Sequence, residues 1–187
     1  MLFRSQIDLI GSYVKTMGDF TFEGGVHNYV LSNGNEFING PRGTTSEVFV
    51  RASANVLEAT PYVAVHYDFD AVQDWYYRAG IAEDFDLGKG FSISLDGSIG
   101  YFSNGQAQWL FGADQAGLGD VRGTAALNYA YDQNTTFNLS INGSRIADTD
   151  IARWMKTQNQ YTTGSGTFAT GIDPDPIWVT LGGAFAF

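Results

Sequence analysis

The sequence predicts an all-β fold, an antiparallel up-and-down β-barrel with its apolar face turned outward. Three observations carry that reading. Apolar and polar side chains alternate with a period of two in segment after segment, aromatic residues collect at the ends of the apolar face, and the connections are by turns short and long. A period of two is the mark of a strand, because successive side chains point to opposite faces of a sheet.

The segments follow in chain order. Gln6–Lys15 and Phe20–Leu31 alternate least cleanly. Val48, Val50, Ala52, Ala54 and Val56 oppose Glu47, Arg51, Ser53 and Asn55. Val63, Val65, Tyr67 and Phe69 oppose Tyr62, Ala64, His66, Asp68 and Asp70. Trp75, Tyr77, Ala79, Ile81, Phe85 and Leu87 oppose Tyr76, Arg78, Gly80, Asp84 and Asp86. Glu83 breaks this pattern by falling on the apolar face, where a bulge or a position near a boundary would accommodate it. Phe91–Tyr101 puts Phe91, Ile93, Leu95 and Ile99 against Ser92, Ser94, Asp96 and Ser98. Val121, Ala125, Leu127, Tyr129 and Tyr131 oppose Arg122, Thr124, Asn128 and Asp132. Phe137, Leu139 and Ile141 oppose Asn138, Ser140 and Asn142, and Ile177–Phe187 closes the series. The count is about nine strands.

Alternation alone fits a soluble sandwich as well as a membrane barrel. Several segments run about 10–12 residues, beyond the ~5–6 of globular strands and close to the ~9–11 that cross a bilayer. Aromatics of the apolar face divide into two groups. Phe85, Phe91, Tyr129, Tyr131, Phe137, Phe185 and Phe187 fall beside short turns, and Tyr67, Phe69, Trp75, Tyr77 and Tyr101 beside long loops. Barrels of the outer membrane carry such girdles at both lipid boundaries and alternate short turns with long loops. No run of apolar residues approaches the roughly 20 that a membrane-spanning helix needs.

Bulk properties agree. Charged residues are 16% of the 187, aromatics 15%, and there are 23 glycines. A net charge of −10 argues against nucleic-acid binding through a basic face. With no cysteine, disulfides, thiolate metal sites and cysteine nucleophiles are excluded.

The end of the chain, Ile177-Trp-Val-Thr-Leu-Gly-Gly-Ala-Phe-Ala-Phe187, resembles the assembly signal of bacterial outer-membrane β-barrel proteins, with its terminal phenylalanine and alternating hydrophobics. Ser46–Asp150 is similar to the TorF-like porin group. The likeness rests on Thr60-Pro-Tyr-Val-Ala-Val-His-Tyr-Asp-Phe-Asp70, on Trp75-Tyr-Tyr77, and on Asp86-Leu-Gly-Lys-Gly90 leading into a strand that ends Gly100-Tyr101. The resemblance implies residence in the bacterial outer membrane, contact with outer-membrane lipid, delivery by the barrel-assembly machinery through the C-terminal strand, and assembly-signal roles for Phe185 and Phe187.

Candidate chemistry is weak. His66, Asp68 and Asp70 share a face at i, i+2, i+4 and suit a metal or acid–base cluster, but a hydrated wall of ordinary polar groups explains them more simply. Only His27 and His66 are available as bases, with no nucleophile motif beside either, so neither catalysis nor a cofactor is expected. Arg51, Arg78 and Arg122 lie on the polar face with Asp84, Asp96 and Asp132. They form either a charged filter across a pore or an ion-pair network bracing a closed interior. The pore-lining candidates are Arg51, His66, Asp68, Arg78, Asp84, Asp96, Arg122 and Asn128. Asp148, Asp150, Asp173 and Asp175 make the last long loop acidic without a calcium-loop spacing, and Asp148–Lys156 has the start of a capped helix.

A porin-like passive channel for small solutes is the expected function. The alternatives are a structural or adhesive barrel whose loops bind a partner, with Trp109-Leu110-Phe111 as the contact, and a soluble β-barrel or sandwich. Residues 6–187 are expected to form one barrel domain. The short-turn pattern makes the first and last of nine strands run the same way, so the chain is expected to be the C-terminal part of a 10–12-stranded barrel. Met1–Ser5 then reads as a non-native start.

Overall fold

The structure, a computed structural model, describes residues 6–31, 44–56, 58–111, 115–152, 160–163, 166–169 and 177–185. Nine long strands form one curled antiparallel sheet, a half-barrel: β1 (Gln6–Met17), β2 (Phe20–Leu31), β3 (Thr44–Ala54), β4 (Thr60–Asp68), β5 (Trp75–Gly88), β6 (Phe91–Phe102), β7 (Gly117–Ala130), β8 (Thr135–Ile146) and β11 (Ile177–Phe185). β1 to β8 pair in sequence order, and the other edge of β8 pairs with β11. Between those two, β9 (Gln160–Thr163) and β10 (Gly166–Ala169) make a separate two-stranded hairpin. Helix α1 (Asn104–Phe111) joins β6 to β7.

The alternation dictates which way each strand faces, and the register then lines the faces up across the sheet. In one hydrogen-bonded row Ile81, Gly97, Gly123, Gly143 and Ile177 are successive partners, all from the apolar set. That face is the open one: Leu9, Val50, Val63, Ile81, Ile141 and Leu181 are all at least 48% exposed. The opposite face is crowded. Tyr62, Ala64, Glu47, Ser98 and Asp120 on it are buried. A sheet curled around its polar face leaves the apolar side chains on the convex side. This inverts the arrangement of a soluble protein, where large contiguous apolar patches are rare.

Turns keep to the expected rhythm. β1–β2 is joined at Gly18-Asp19, with Gly18 at φ 60°, and β5–β6 at Lys89-Gly90, with φ 55° and 82°. Two successive positive φ values suit a two-residue hairpin loop, because they match the twist of the flanking strands. The strand ends Leu31 and Thr44, Phe102 and Gly117, and Ile146 and Ile177, between which the longer connections run in sequence, lie at the opposite end of the sheet from these turns.

The aromatic groups occupy the two ends of the convex face as expected. Tyr67 and Trp75 have ring centroids 4.6 Å apart, Trp75 and Tyr77 6.5 Å, and Tyr77 and Tyr101 6.3 Å at the long-loop end. At the short-turn end Phe91 and Tyr129 stack at 4.6 Å, and Tyr131 meets Tyr129 edge-on at 6.5 Å. Phe185 lies in β11, opposite Thr135, while Phe187 lies outside the described residues. So do Met1–Ser5.

Several local expectations need correction. Residues 103–120, which the sequence pattern reads as one long loop, contain α1 and the first four residues of β7, and Trp109-Leu110-Phe111 fall on the last turn of that helix. Glu83 has no bulge to accommodate it: it pairs in regular register with Leu95, and the β5–β6 shift occurs only between Asp86 and Gly88. Leu127, which the sequence pattern reads as mid-membrane on the outward face, stands one outward position from Tyr129, so it lies toward the short-turn girdle.

Candidate functional site: the concave wall

All eight pore-lining candidates belong to the concave face, but they do not form one site. At the long-loop end of β3 and β4, Glu47 is the centre. Its carboxylate accepts a hydrogen bond from Tyr29 Oη at 2.8 Å and lies 2.8 Å from His66 Nδ1 and 3.7 Å from His27 Nδ1. The register imposes this, because His27, Glu47 and Asp68 occupy one row across β2, β3 and β4. Phe49 and Tyr76 flank the His66 ring at 5.7 and 5.5 Å.

Asp68 ends β4 and is buried, but as an anchor for the turn that follows. It accepts from the N–H groups of Asp70 and Val72, both at 3.0 Å, and from the Thr45 hydroxyl. Asp70 is therefore beyond the strand rather than two places further along the same face. No group of three or more metal-ligating side chains occurs among the described residues.

The second cluster lies beneath α1. Asp120, 2% exposed, receives both arginines: Arg78 Nη2 reaches its two carboxylate oxygens at 3.0 Å, and Arg122 Nε contacts Oδ2. Arg78 Nη1 also donates to Ser98 Oγ at 2.6 Å, and Tyr76 Oη donates to Asp120 at 3.1 Å. Burying a carboxylate between two guanidinium groups is tolerable because every lone pair direction finds a donor. Asp120 was not anticipated, because the sequence places it at the end of a loop. β7 begins already at Gly117, so Asp120, two residues before Arg122, shares its inward face by simple alternation. Asp132, the acid expected to face the arginines, instead sits in the β7–β8 turn, where it accepts the Asn134 N–H at 2.8 Å.

Arg51 lies 4.0 Å from the centroid of the Tyr62 ring, and Tyr62 Oη donates to Asp96 Oδ1 at 3.2 Å. The aromatic ring has room because its cross-strand neighbour is Gly80, where a Cβ would collide with it. Asn128 Nδ2 donates to Ser94 Oγ at 2.8 Å near the short-turn end, and Asp84 there is exposed.

The long-loop end of the wall is filled. Phe102, Ala107, Ile146 and Ile151 form the buried apolar cluster of the described residues, with Tyr76 and Ala152 against it. Helix α1 is tied down by Asp74, whose carboxylate accepts the Gly105 N–H at 2.9 Å and the Trp75 N–H at 2.8 Å. Burial works to raise the Asp74 carboxyl, but these N–H donors outweigh it and hold it below the usual carboxylate range. The capped helix expected at Asp148 begins there: Asp148 Oδ1 accepts the N–H groups of Asp150 at 2.8 Å and Ile151 at 3.0 Å, and residues 149–152 are helical. Residues 153–159, 164–165 and 170–176, which include Asp173 and Asp175, lie outside the described set.

Comparison with known protein families, with curated proteins and with solved structures finds no match for this chain.

Proposed function

We propose that this chain forms the wall of a porin-like passive channel for small solutes in the outer membrane of a Gram-negative bacterium. One observation carries the reading: the curled sheet turns a polar, charged face inward and an apolar face outward, with aromatic girdles at both ends of the apolar face. Outer-membrane lipid is the medium that suits such a surface, because it offers no hydrogen bonds to side chains and places amphipathic rings at its boundaries. The C-terminal strand, with Phe185 and Phe187, is then the segment offered to the barrel-assembly machinery, as the likeness of the C-terminus to the assembly signal of outer-membrane barrels implies. In this reading the concave wall is a polar conduit lined by Arg51, His66, Asp96 and Asn128 and acts by charge and width, without covalent chemistry.

A second reading draws on the filled mouth. α1 and the turn at 149–152 pack over the long-loop end, and Arg78, Asp120 and Arg122 lock together beneath them. Such bracing suits a structural or adhesive barrel whose loops bind a partner. Reconstitution in planar bilayers separates the two. Discrete conductance steps are the result expected of the channel, and an electrically silent, detergent-requiring protein would transfer support to the adhesive barrel. Full solubility without detergent would overturn both.

A further inference from the structure

The carboxylates of the concave wall are engaged toward the long loops and bare toward the short turns. In the long-loop half Asp120 holds Arg78 and Arg122, and Glu47 lies against His66 and His27. Asp68, Asp74 and Asp148 each accept two backbone N–H groups there. In the short-turn half the register turns Glu23, Asp84, Asp86 and Asp96 inward, against Arg51 alone. Glu23 stands four residues after Asp19, Asp86 and Asp84 two and four before Gly88, and Asp96 six after Gly90. At ~3.3 Å per residue and a strand tilt of ~40°, six residues span about 15 Å of depth. The short turns add Asp19, Glu58 and Asp132 against Lys89, all four exposed. None of these seven carboxylates has an ion-pair partner among the described residues. Arg51 does not neutralise Glu23, its direct cross-strand neighbour on β2, because its guanidinium leans the other way, 4.0 Å over the Tyr62 ring on β4.

We propose that the conduit selects small cationic solutes, through the unmatched carboxylates of its short-turn half. The inference rests on the channel reading above and names the solute class of that conduit. The seven acids are spread over three strands and three turns, so they act together as a field rather than as a set of ligands for one ion. A passage lined by one sign of charge within low-dielectric walls focuses that field and raises the local concentration of counter-ions by roughly 10- to 1,000-fold. An anion meets the same field as a barrier. Carboxylates that stay solvated attract a cation without holding it, and a conduit needs solutes to leave as well as enter. Salt limits the reach of the field, because the Debye length falls from ~10 Å at 0.1 M to ~3 Å at 1 M. The preference for cations therefore fades as salt rises. Arg51 is the wall cation that opposes it in this half, so the two signs of charge have opposite effects on selection.

The test is the zero-current potential of the full chain in planar bilayers under a KCl gradient, which gives the permeability of potassium relative to chloride. Around 0.1 M salt the wild type is expected to favour potassium roughly tenfold, and around 1 M the ratio is expected to fall toward unity. The triple variant Asp84→Asn/Asp86→Asn/Asp96→Asn keeps side-chain size and removes three charges, and is expected to lower the ratio. Arg51→Gln removes the opposing cation and is expected to raise it. Heat-modifiable gel mobility shows that each variant has folded. If the triple variant does not fold, Asp84→Asn, at an exposed position, is expected to lower the ratio by a smaller step and decides in its place. A wild type that conducts but is indifferent to the sign of the ion, or favours chloride, overturns this proposal and leaves the channel reading standing. So does a ratio that the asparagine variants leave in place or that Arg51→Gln lowers. A protein that inserts and passes no current overturns the channel reading itself, and this proposal with it.

Discussion

Replacing Ile141 by lysine probes the convex face where it is deepest in the apolar band. Ile141 lies outward on β8, four residues from Phe137 at the short-turn girdle and four from Arg145 near the other end. At ~3.3 Å per residue with a strand tilt of ~40°, each of those positions is about 10 Å away in depth, which centres Ile141 in a band roughly 25 Å tall. A lysine there is expected to cost about 2–4 kcal/mol, or roughly 30- to 1,000-fold in the folding equilibrium. Ser140, the next residue, faces inward and is contacted by Asn142 Nδ2 at 3.1 Å. Lysine at 140 forfeits that hydrogen bond, about 0.5–1.5 kcal/mol, and keeps its charge in the polar interior. Leu127→Lys, one step from the girdle residue Tyr129, is expected to cost less than Ile141→Lys. The measurement is reversible urea unfolding from lipid vesicles, followed by the gel mobility of unheated samples. The contrast is sharp because Ile141 is 58% exposed. If water rather than lipid covered that face, its replacement by lysine would change stability by only about ±0.5 kcal/mol. Equal costs at 140 and 141, or a negligible cost at 141, would refute the facing and the medium together.

Two further outcomes follow from the concave wall. Asp120→Ala leaves Arg78 and Arg122 facing one another without the carboxylate that joins them, and should destabilise by about 3–5 kcal/mol in the same unfolding assay. A cost under ~1 kcal/mol would show that solvent already screens the pair. For Asp74 the folded carboxyl titrates below its unfolded value, so its anchoring of α1 is fully present above the unfolded pKa near 3.8 and fades as pH falls through the depressed folded value. Hydrogen exchange at Gly105 and the following α1 amides should therefore quicken below pH ~3.8 in the wild type and show no such acid step in Asp74→Asn. An acid step of equal size in both would remove Asp74 from that role.

Much of the fold was legible from the residues, because in a sheet with one apolar face the period of two decides facing, and facing decides register. Nine strands, their order, the short turns and the two girdles all followed from local pattern. The sequence also marked Glu83 as discordant, although it could not say that the register around it is regular. The candidate wall residues were assigned to the correct face for the same reason, since parity along a strand is a local property. Which of them meet was not local. Asp120 pairs with both arginines because β7 begins at Gly117 and so includes it, and Asp132 leaves the wall because β7 ends at Ala130. The filled mouth likewise depends on α1, Ile146 and Ile151, which are up to 44 residues apart and share no sequence pattern. Facing is written residue by residue, whereas contacts across a curled sheet depend on where each strand begins, shifts and stops. Only the tertiary structure holds that information.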